Sequence, residues 1–87
     1  MQEPLKPHRR LDCTGMLCPQ PVVSTRSVIN DMAQGELLEV IATDPLAELD
    51  LAVFCHKTGH ELVHAERGPD TLRVLIRVSP RPPPAAD

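Results

Sequence analysis

The sequence predicts an α+β fold, a two-layer sandwich in which two helices cover one face of a mixed four-stranded sheet. The chain of 87 residues is long enough for one small domain with a modest core. Short runs of β-favouring residues alternate with segments of helical spacing in the order βαβαββ, and layering and handedness rules place both helices on one sheet face. The other face is expected to meet solvent or a partner. Arg73 and Arg77 beside Leu75 suit that face, because long side chains cover apolar surface with their charged heads in water.

The first half of the domain is predicted to contain a strand, a helix and a second strand. The strand is assigned to "RRLDC", which leads into a turn at Gly15, and the helix to "PQPVVSTRSVINDMA", with Gly35 as its stop. The segment "ELLEVIAT" is a short, almost continuous apolar run, typical of a strand that is covered on at least one face. We expect it to be the central strand.

The second half is predicted to contain a helix and a hairpin. The helix lies in "DPLAELDLAVFCHKTG", where it begins after Asp44 as its cap, or after Asp50 if it is shorter, and ends at Gly59. The hairpin consists of "ELVHAER" and "TLRVLIRV", joined by a turn at "GPD".

Both ends of the chain are predicted to be flexible tails. Residues 1–8 include two prolines, and residues 80–87 belong to the proline-rich run "SPRPPPAAD", which cannot continue a helix or a sheet. The folded domain is therefore expected to span residues 9–79.

The composition argues against several classes of function. A formal net charge of -3 does not suit a dedicated nucleic-acid binder, and one Phe without Trp or Tyr leaves no platform for base stacking. No apolar run approaches the roughly eighteen residues of a membrane span, and the first residues lack the apolar core of a secretory signal. We therefore expect a cytoplasmic protein that binds neither nucleic acid nor membrane.

The sequence around Cys18 predicts a reactive thiol at the start of the first helix. Pro19 disfavours helical angles at the residue before it and suits the first helical position, so Cys18 is expected to be the N-cap. Pro21 lies in the first turn, where its missing N–H breaks no hydrogen bond. The N–H of Gln20, and that of Cys18 itself, would face the sulfur and, with the helix dipole, stabilise its anion. The sequence thus predicts a lowered pKa for Cys18.

Motifs that the sequence lacks exclude several reactions for this thiol. The chain has no recognisable Cys-His signature of a protease or acyl transferase, and a Cys-x-x-Cys redox pair is excluded because position 21 is proline. An exposed, acidified sulfur without a proton-carrying partner can take up a sulfur atom as a persulfide and pass it on, by analogy with thiol exchange. No cofactor is expected for such a step.

The other two cysteines are interpreted differently. Three cysteines cannot all pair within one chain, so each needs its own explanation. Cys13 lies close enough to Cys18 in the sequence to be a redox partner that resolves a persulfide into a disulfide, although burial on the first strand is the favoured interpretation. Cys55 is interpreted as a core or half-buried thiol without a role.

Histidine and arginine side chains are further candidates for a metal site or for a role beside the sulfur. His56, His60 and His64 are spaced by four residues, but Gly59 breaks the helix between them, so no metal site is expected. Arg26, two turns into the first helix, is either a residue that docks a partner or stabilises the sulfur, or an ordinary solvated arginine.

The motif around Cys18 resembles the signature of a known family. "LDCTGMLCPQP" is similar to the pattern of the TusA/SirA-like sulfur carriers, which is a Leu-Asp pair, a glycine and then Cys-Pro-x-Pro. "GELLEVIATDP", "FCHKTGHEL" and "LIR" follow in the family's order, so the likeness covers about residues 10–78. Two positions depart from the pattern: Gln20 replaces a commonly acidic residue, which should favour the sulfur anion slightly, and Leu17 replaces an often basic one.

The resemblance implies a βαβαββ sandwich that carries a persulfide on Cys18. The turn at Gly15 and the helix start at Pro19, Gln20 and Pro21 are expected, from the residues themselves, to shape the site. It also implies protein partners on both sides of a relay. The donor would be a cysteine desulfurase or a rhodanese-like protein, and the acceptor a DsrE- or TusD-like or other protein. The pathways served by such relays are tRNA thiolation, sulfur oxidation and molybdenum-cofactor assembly.

Two other functions are considered for such a small sandwich. A regulatory or RNA-associated module is one, because the fold resembles the C-terminal domain of a translation initiation factor, but the net acidity and the lack of aromatic residues argue against it. A small metal site using Cys13, Cys18 and a histidine is the other, and the chain lacks paired metal-ligand spacing for it.

Overall fold

A mixed four-stranded sheet with the strand order β1-β2-β4-β3 forms one layer of the protein, and two helices form the other. The computed structural model describes residues 6–79. Its elements confirm the predicted βαβαββ order: β1 Arg9–Cys13, α1 Gln20–Ile29, β2 Leu37–Ala42, α2 Ala47–Thr58, β3 Glu61–Arg67 and β4 Leu72–Arg77. β1 is parallel to β2, whereas β2–β4 and β3–β4 are antiparallel.

The core lies between the helices and one face of the two interior strands. Alternate residues of β2 and β4 point toward both helices, as the period of two in a strand requires. Full burial of each Val, Leu or Ile side chain stabilises the fold by about 1.5–3 kcal/mol. The buried residues of this face and of the helices that cover it include Leu38, Val40, Ala42, Leu72, Val74, Ile76, Ile29, Leu51 and Phe54.

On the opposite face of the sheet, ion pairs link side chains of all four strands. Glu39 on β2 is almost fully buried and pairs with Arg73 of β4 and with Arg10 of β1, the latter at 3.3 Å from nitrogen to oxygen. Arg73 also reaches Glu66 of β3 at 3.4 Å. Leu75 lies between Arg73 and Arg77 along β4 and is buried on this face.

Helix α1 begins one residue later, and ends earlier, than the sequence predicts. Pro19 is the N-cap, with φ -98° and ψ 19°, so the assignment of Cys18 to that position is wrong. The reason is a tight turn before the helix, in which the Gln20 N–H donates to the Leu17 carbonyl at 2.8 Å. The helix ends at Ile29 rather than near Gly35, whose N–H instead donates to the carbonyl of Val78, the residue after β4.

Helix α2 begins at Ala47, with Leu46 as its N-cap, so neither acidic residue proposed from the sequence caps it. Asp44 lies in a turn ahead of the helix, where its backbone carbonyl accepts the Ala47 N–H. The predicted stop at Gly59 is confirmed: this residue has φ 87°, a left-handed conformation that favours glycine.

The predicted domain boundaries at residues 9 and 79 stay a prediction. Residues 1–5 and 80–87 of the two proposed tails lie outside the described part of the chain. His8, the last residue of the proposed N-terminal tail, donates its N–H to the Leu37 carbonyl and accepts the Leu37 N–H at its Nδ1 atom.

Candidate functional site

The loop between β1 and α1 presents Cys18 on the surface. Asp12 accepts hydrogen bonds from the Thr14 N–H at 2.9 Å and from the Thr14 hydroxyl, which shapes the exit from β1. Gly15 has φ 82°, a conformation that L side chains rarely adopt, and its N–H donates to Thr43 Oγ1 at 2.9 Å. The loop is thereby attached to the residues that follow β2.

Two carboxylates, one from the residues before α2 and one from its first turn, contact Cys18. Its backbone N–H donates to Asp44 Oδ2 at 2.6 Å, and its thiol donates to Asp50 Oδ2 at 2.6 Å. Asp44 is nearly buried, and its other carboxylate oxygen accepts the Leu46 N–H at 3.2 Å. The sequence predicts these two aspartates as possible helix caps. It gives no indication that they contact the cysteine.

The predicted lowering of the Cys18 pKa is wrong. The hydrogen bond to Asp50 raises the pKa of this thiol, and desolvation and the negative charges of Asp50 and Asp44 raise it further. The donors that were expected to face the sulfur are used elsewhere, because the Gln20 N–H is bonded to Leu17 and the Cys18 N–H to Asp44. The hydrogen bond to Asp50 and the nearby negative charges thus favour the protonated form of this thiol.

The other residues proposed to shape the site flank Cys18 in different ways. Pro19 and Gln20 are exposed, whereas Pro21 is buried in the first turn of α1. The missing N–H of Pro21 leaves the helical hydrogen bonds intact, because the first-turn donors have no partner within a helix.

An apolar surface that the sequence patterns did not predict adjoins the cysteine. Leu17 is 73% exposed, and Leu46 at the N-cap of α2 and Leu49 and Val53 on the helix are 54%, 63% and 44% exposed. The last three residues are spaced by three and four and therefore lie on the same side of the helix as Asp50. We call these four apolar residues, Leu17, Leu46, Leu49 and Val53, the apolar rim.

The remaining cysteines lie in the interior. Cys13 is fully buried at the end of β1, and desolvation raises its pKa. Cys55 is buried on α2, where desolvation raises its pKa to about 11. Because buried, protonated thiols are inert, the structure favours packing for Cys13 and gives its proposed redox role no support.

Arg26 does not approach Cys18 through any described contact. It is exposed near the end of α1, and its guanidinium carbon lies 5.6 Å from the centre of the Phe54 ring on α2. This is cation–π geometry, which joins the two helices.

The histidines occupy separate positions in the fold. His56 is on α2, and His64 is on β3 with its Nε2 atom 3.6 Å from Glu66. Within residues 6–79, no three His, Cys, Asp or Glu side chains are grouped in a way that could hold a metal ion. Neither helix in this part of the chain is long and apolar enough to cross a membrane.

Comparisons with known proteins agree on one family. The model of the family described as sulfurtransferase TusA matches residues 9–78. The sulfur carrier protein TusA of Pseudomonas aeruginosa is 45% identical over 67 residues, which are 77% of this chain and 85% of that protein. The protein of the same name from Pseudomonas putida is 41% identical over 71 residues, 82% of this chain and 89% of that one.

A solved structure shares the fold. The SirA-like protein from Desulfitobacterium hafniense superposes with a TM-score of 0.72, covering 82% of this chain and 97% of its own, at 18% sequence identity. At this level of identity the likeness concerns the fold alone.

Proposed function

The chain belongs to the TusA sulfurtransferase family, and we propose that it is a sulfur carrier that holds sulfane sulfur as a persulfide on Cys18. The observation that carries the proposal is the exposure of this one thiol on the β1–α1 loop, while Cys13 and Cys55 are buried. A thiol that two different proteins must reach in turn has to be accessible, and only Cys18 is.

The loading step is a thiol exchange at a sulfane sulfur. The thiolate of Cys18 attacks the outer sulfur of a donor persulfide, R–S–SH. A sulfur–sulfur bond forms at Cys18 while the donor's sulfur–sulfur bond breaks, and the donor's inner sulfur leaves as a thiolate that takes the proton Cys18 has lost. The sum is Cys18-SH plus R–S–SH giving Cys18-S–SH plus R–SH, with no external oxidant or reductant. Unloading repeats the step with an acceptor thiol as the nucleophile.

The partners are proteins that dock beside the cysteine. The apolar rim gives such proteins a surface from which water can be displaced. The donor is a cysteine desulfurase or a rhodanese-like protein, and the acceptor is a DsrE- or TusD-like or other protein of tRNA thiolation, sulfur oxidation or molybdenum-cofactor assembly. The cytoplasm, where thiols stay reduced, suits this chemistry.

Intact-mass spectrometry tests the proposal. The protein is incubated with a cysteine desulfurase and cysteine, or with a rhodanese and thiosulfate, and its mass is measured before and after reduction. The wild type should gain one sulfur atom that a reductant removes, and Cys18→Ser should gain none. Cys13→Ala is the matched control and should still be loaded. A wild type that gains no sulfur from either donor, or a Cys18→Ser variant that does, would overturn the proposal.

A further inference from the structure

Asp50 is the residue that contacts the reacting atom of this carrier, and neither the motif nor the family match assigns it a role. Its Oδ2 atom lies 2.6 Å from Cys18 Sγ. Residue 50 is on the exposed side of α2, between Leu49 and Val53 of the apolar rim. Any protein that reaches the sulfur must therefore also meet this carboxylate.

The charges around Cys18 are not neutralised within the described part of the chain. Glu48, on the same helix as Asp50, is paired with Arg67 at 2.8 Å. In contrast, neither Asp44 nor Asp50 forms an ion pair with a cation among residues 6–79. Two carboxylates thus stand beside the thiol with no positive partner of their own, and both disfavour a second negative charge on the sulfur.

We propose that Asp50 holds Cys18 as a hydrogen-bonded, protonated thiol in the free carrier, and that a positively charged side chain of a partner protein releases the thiolate by binding the carboxylate. The inference rests on the proposed function, because it assigns the control of nucleophilicity in the loading step to one residue. When the cation pairs with Asp50, the thiol loses its acceptor and its proton goes to solvent. The thiolate then attacks the donor persulfide in the balanced step described above.

Such control explains why an exposed thiol stands among acidic groups rather than basic ones. A free thiolate would react with any disulfide or oxidant that it met. A thiol that ionises only beside a cation reacts preferentially with proteins that carry one next to their own sulfur. The apolar rim around Asp50 strengthens this pairing, since displacing water lowers the local dielectric constant.

Charged thiol reagents test the inference without any sulfur donor. The rates of modification of Cys18 are measured with two methanethiosulfonates, one carrying an aminoethyl group and the other a sulfonatoethyl group. Each forms a mixed disulfide with Cys18 and releases methanesulfinate. Relative to a peptide containing "LCPQP", the wild type should favour the cationic reagent, and Asp50→Asn should reduce that preference by roughly three- to tenfold, the effect of one charge at contact distance.

Control variants distinguish an effect of the Asp50 charge from an effect of altered structure. Glu48→Gln removes an acid from the same helix and should leave the preference unchanged, whereas Asp50→Glu should keep most of it. In the unaltered protein the preference should shrink as salt is added, a measurement that does not depend on any variant folding. An Asp50→Asn protein with the wild-type preference, or a wild-type preference insensitive to salt, would overturn the inference.

Sulfur loading provides a second readout, because Asp50→Asn should change the loading rates from two donors in opposite directions. Asp50→Asn should be loaded faster than the wild type by inorganic polysulfide, which brings no cation to the site. It should be loaded more slowly by a cysteine desulfurase charged with cysteine, because the cation of that protein has lost its partner. Rates that change in the same direction with both donors would contradict the role of Asp50. Failure of the proposed function would appear differently, as no loading of the wild type by any donor.

Discussion

The backbone N–H of Cys18 donates to the carboxylate of Asp44, and this hydrogen bond joins two loops that are 26 residues apart in the chain. One loop connects β1 to α1, and the other connects β2 to α2. Because β1 and β2 are parallel neighbours, both loops leave the same edge of the sheet. The position of the Cys18 sulfur is therefore set by a long-range contact as well as by the prolines that follow it.

Removal of the Asp44 carboxylate should destabilise the protein and release the Cys18 loop. Asp44→Ala deletes acceptors for the Cys18 and Leu46 N–H groups, so we expect a loss of about 1.5–3 kcal/mol of unfolding free energy. Urea denaturation measures it. Asp31→Ala, at an exposed position, should change stability by less than about 0.5 kcal/mol. Equal effects of the two substitutions would show that the loop contact is not stabilising.

The buried Thr25 hydroxyl should be dispensable for stability. Thr25 is fully buried on α1, and its Oγ1 atom has no hydrogen-bond partner among the described residues. Thr25→Val keeps the shape and removes this desolvated group, so stability should be unchanged or rise by about 1 kcal/mol.

A second threonine provides the contrast in the same denaturation assay. Thr58 Oγ1 donates to the Phe54 carbonyl at 2.7 Å, so Thr58→Val should lose about 0.5–1.5 kcal/mol. If Thr25→Val were the more destabilising of the two, the Thr25 hydroxyl would have to make a stabilising bond.

The charged face of the sheet should depend on its buried acid. Glu39→Ala leaves Arg10 and Arg73 without their shared carboxylate, and we expect a loss of about 1.5–3 kcal/mol. The exposed Glu61, 3.8 Å from Arg77, makes the matched control, since Glu61→Ala should cost less than about 1 kcal/mol. Chemical denaturation at low and high salt distinguishes them, and similar losses for both variants would refute the special role of Glu39.

The reactivity of Cys18 should rise only at high pH. Its pKa is raised by the hydrogen bond to Asp50 and by the nearby negative charges, so at neutral pH less of the nucleophilic thiolate is present than for an ordinary cysteine. The rate of alkylation by iodoacetamide, measured from pH 6 to pH 10 with mass-spectrometric localisation, should show its midpoint above that of an "LCPQP" peptide. A midpoint at or below the peptide's would show that the helix start outweighs the carboxylates.

Much of the fold follows from local sequence patterns. The bounds of β1 and β3 agree with the segments "RRLDC" and "ELVHAER", because alternation and flanking turn residues specify short strands. Helix starts were harder to predict, since Asp44 and Asp50 each have the chemistry of a cap. Which N–H group an aspartate binds depends on what else lies within its reach, and here Asp44 binds the N–H of Cys18 and that of Leu46.

The sequence by itself indicated the element order, the family and the cysteine proposed to carry sulfur, since each of these is recorded in patterns along the chain. The direction in which the pKa of that cysteine is shifted was decided by the tertiary structure. Pro19 and Pro21 predict a helix start that favours an anion, but folding brings Asp50, 32 residues away, against the sulfur. A carboxylate in direct contact outweighs the diffuse potential of a helix end, and no local pattern records which distant side chain will make that contact.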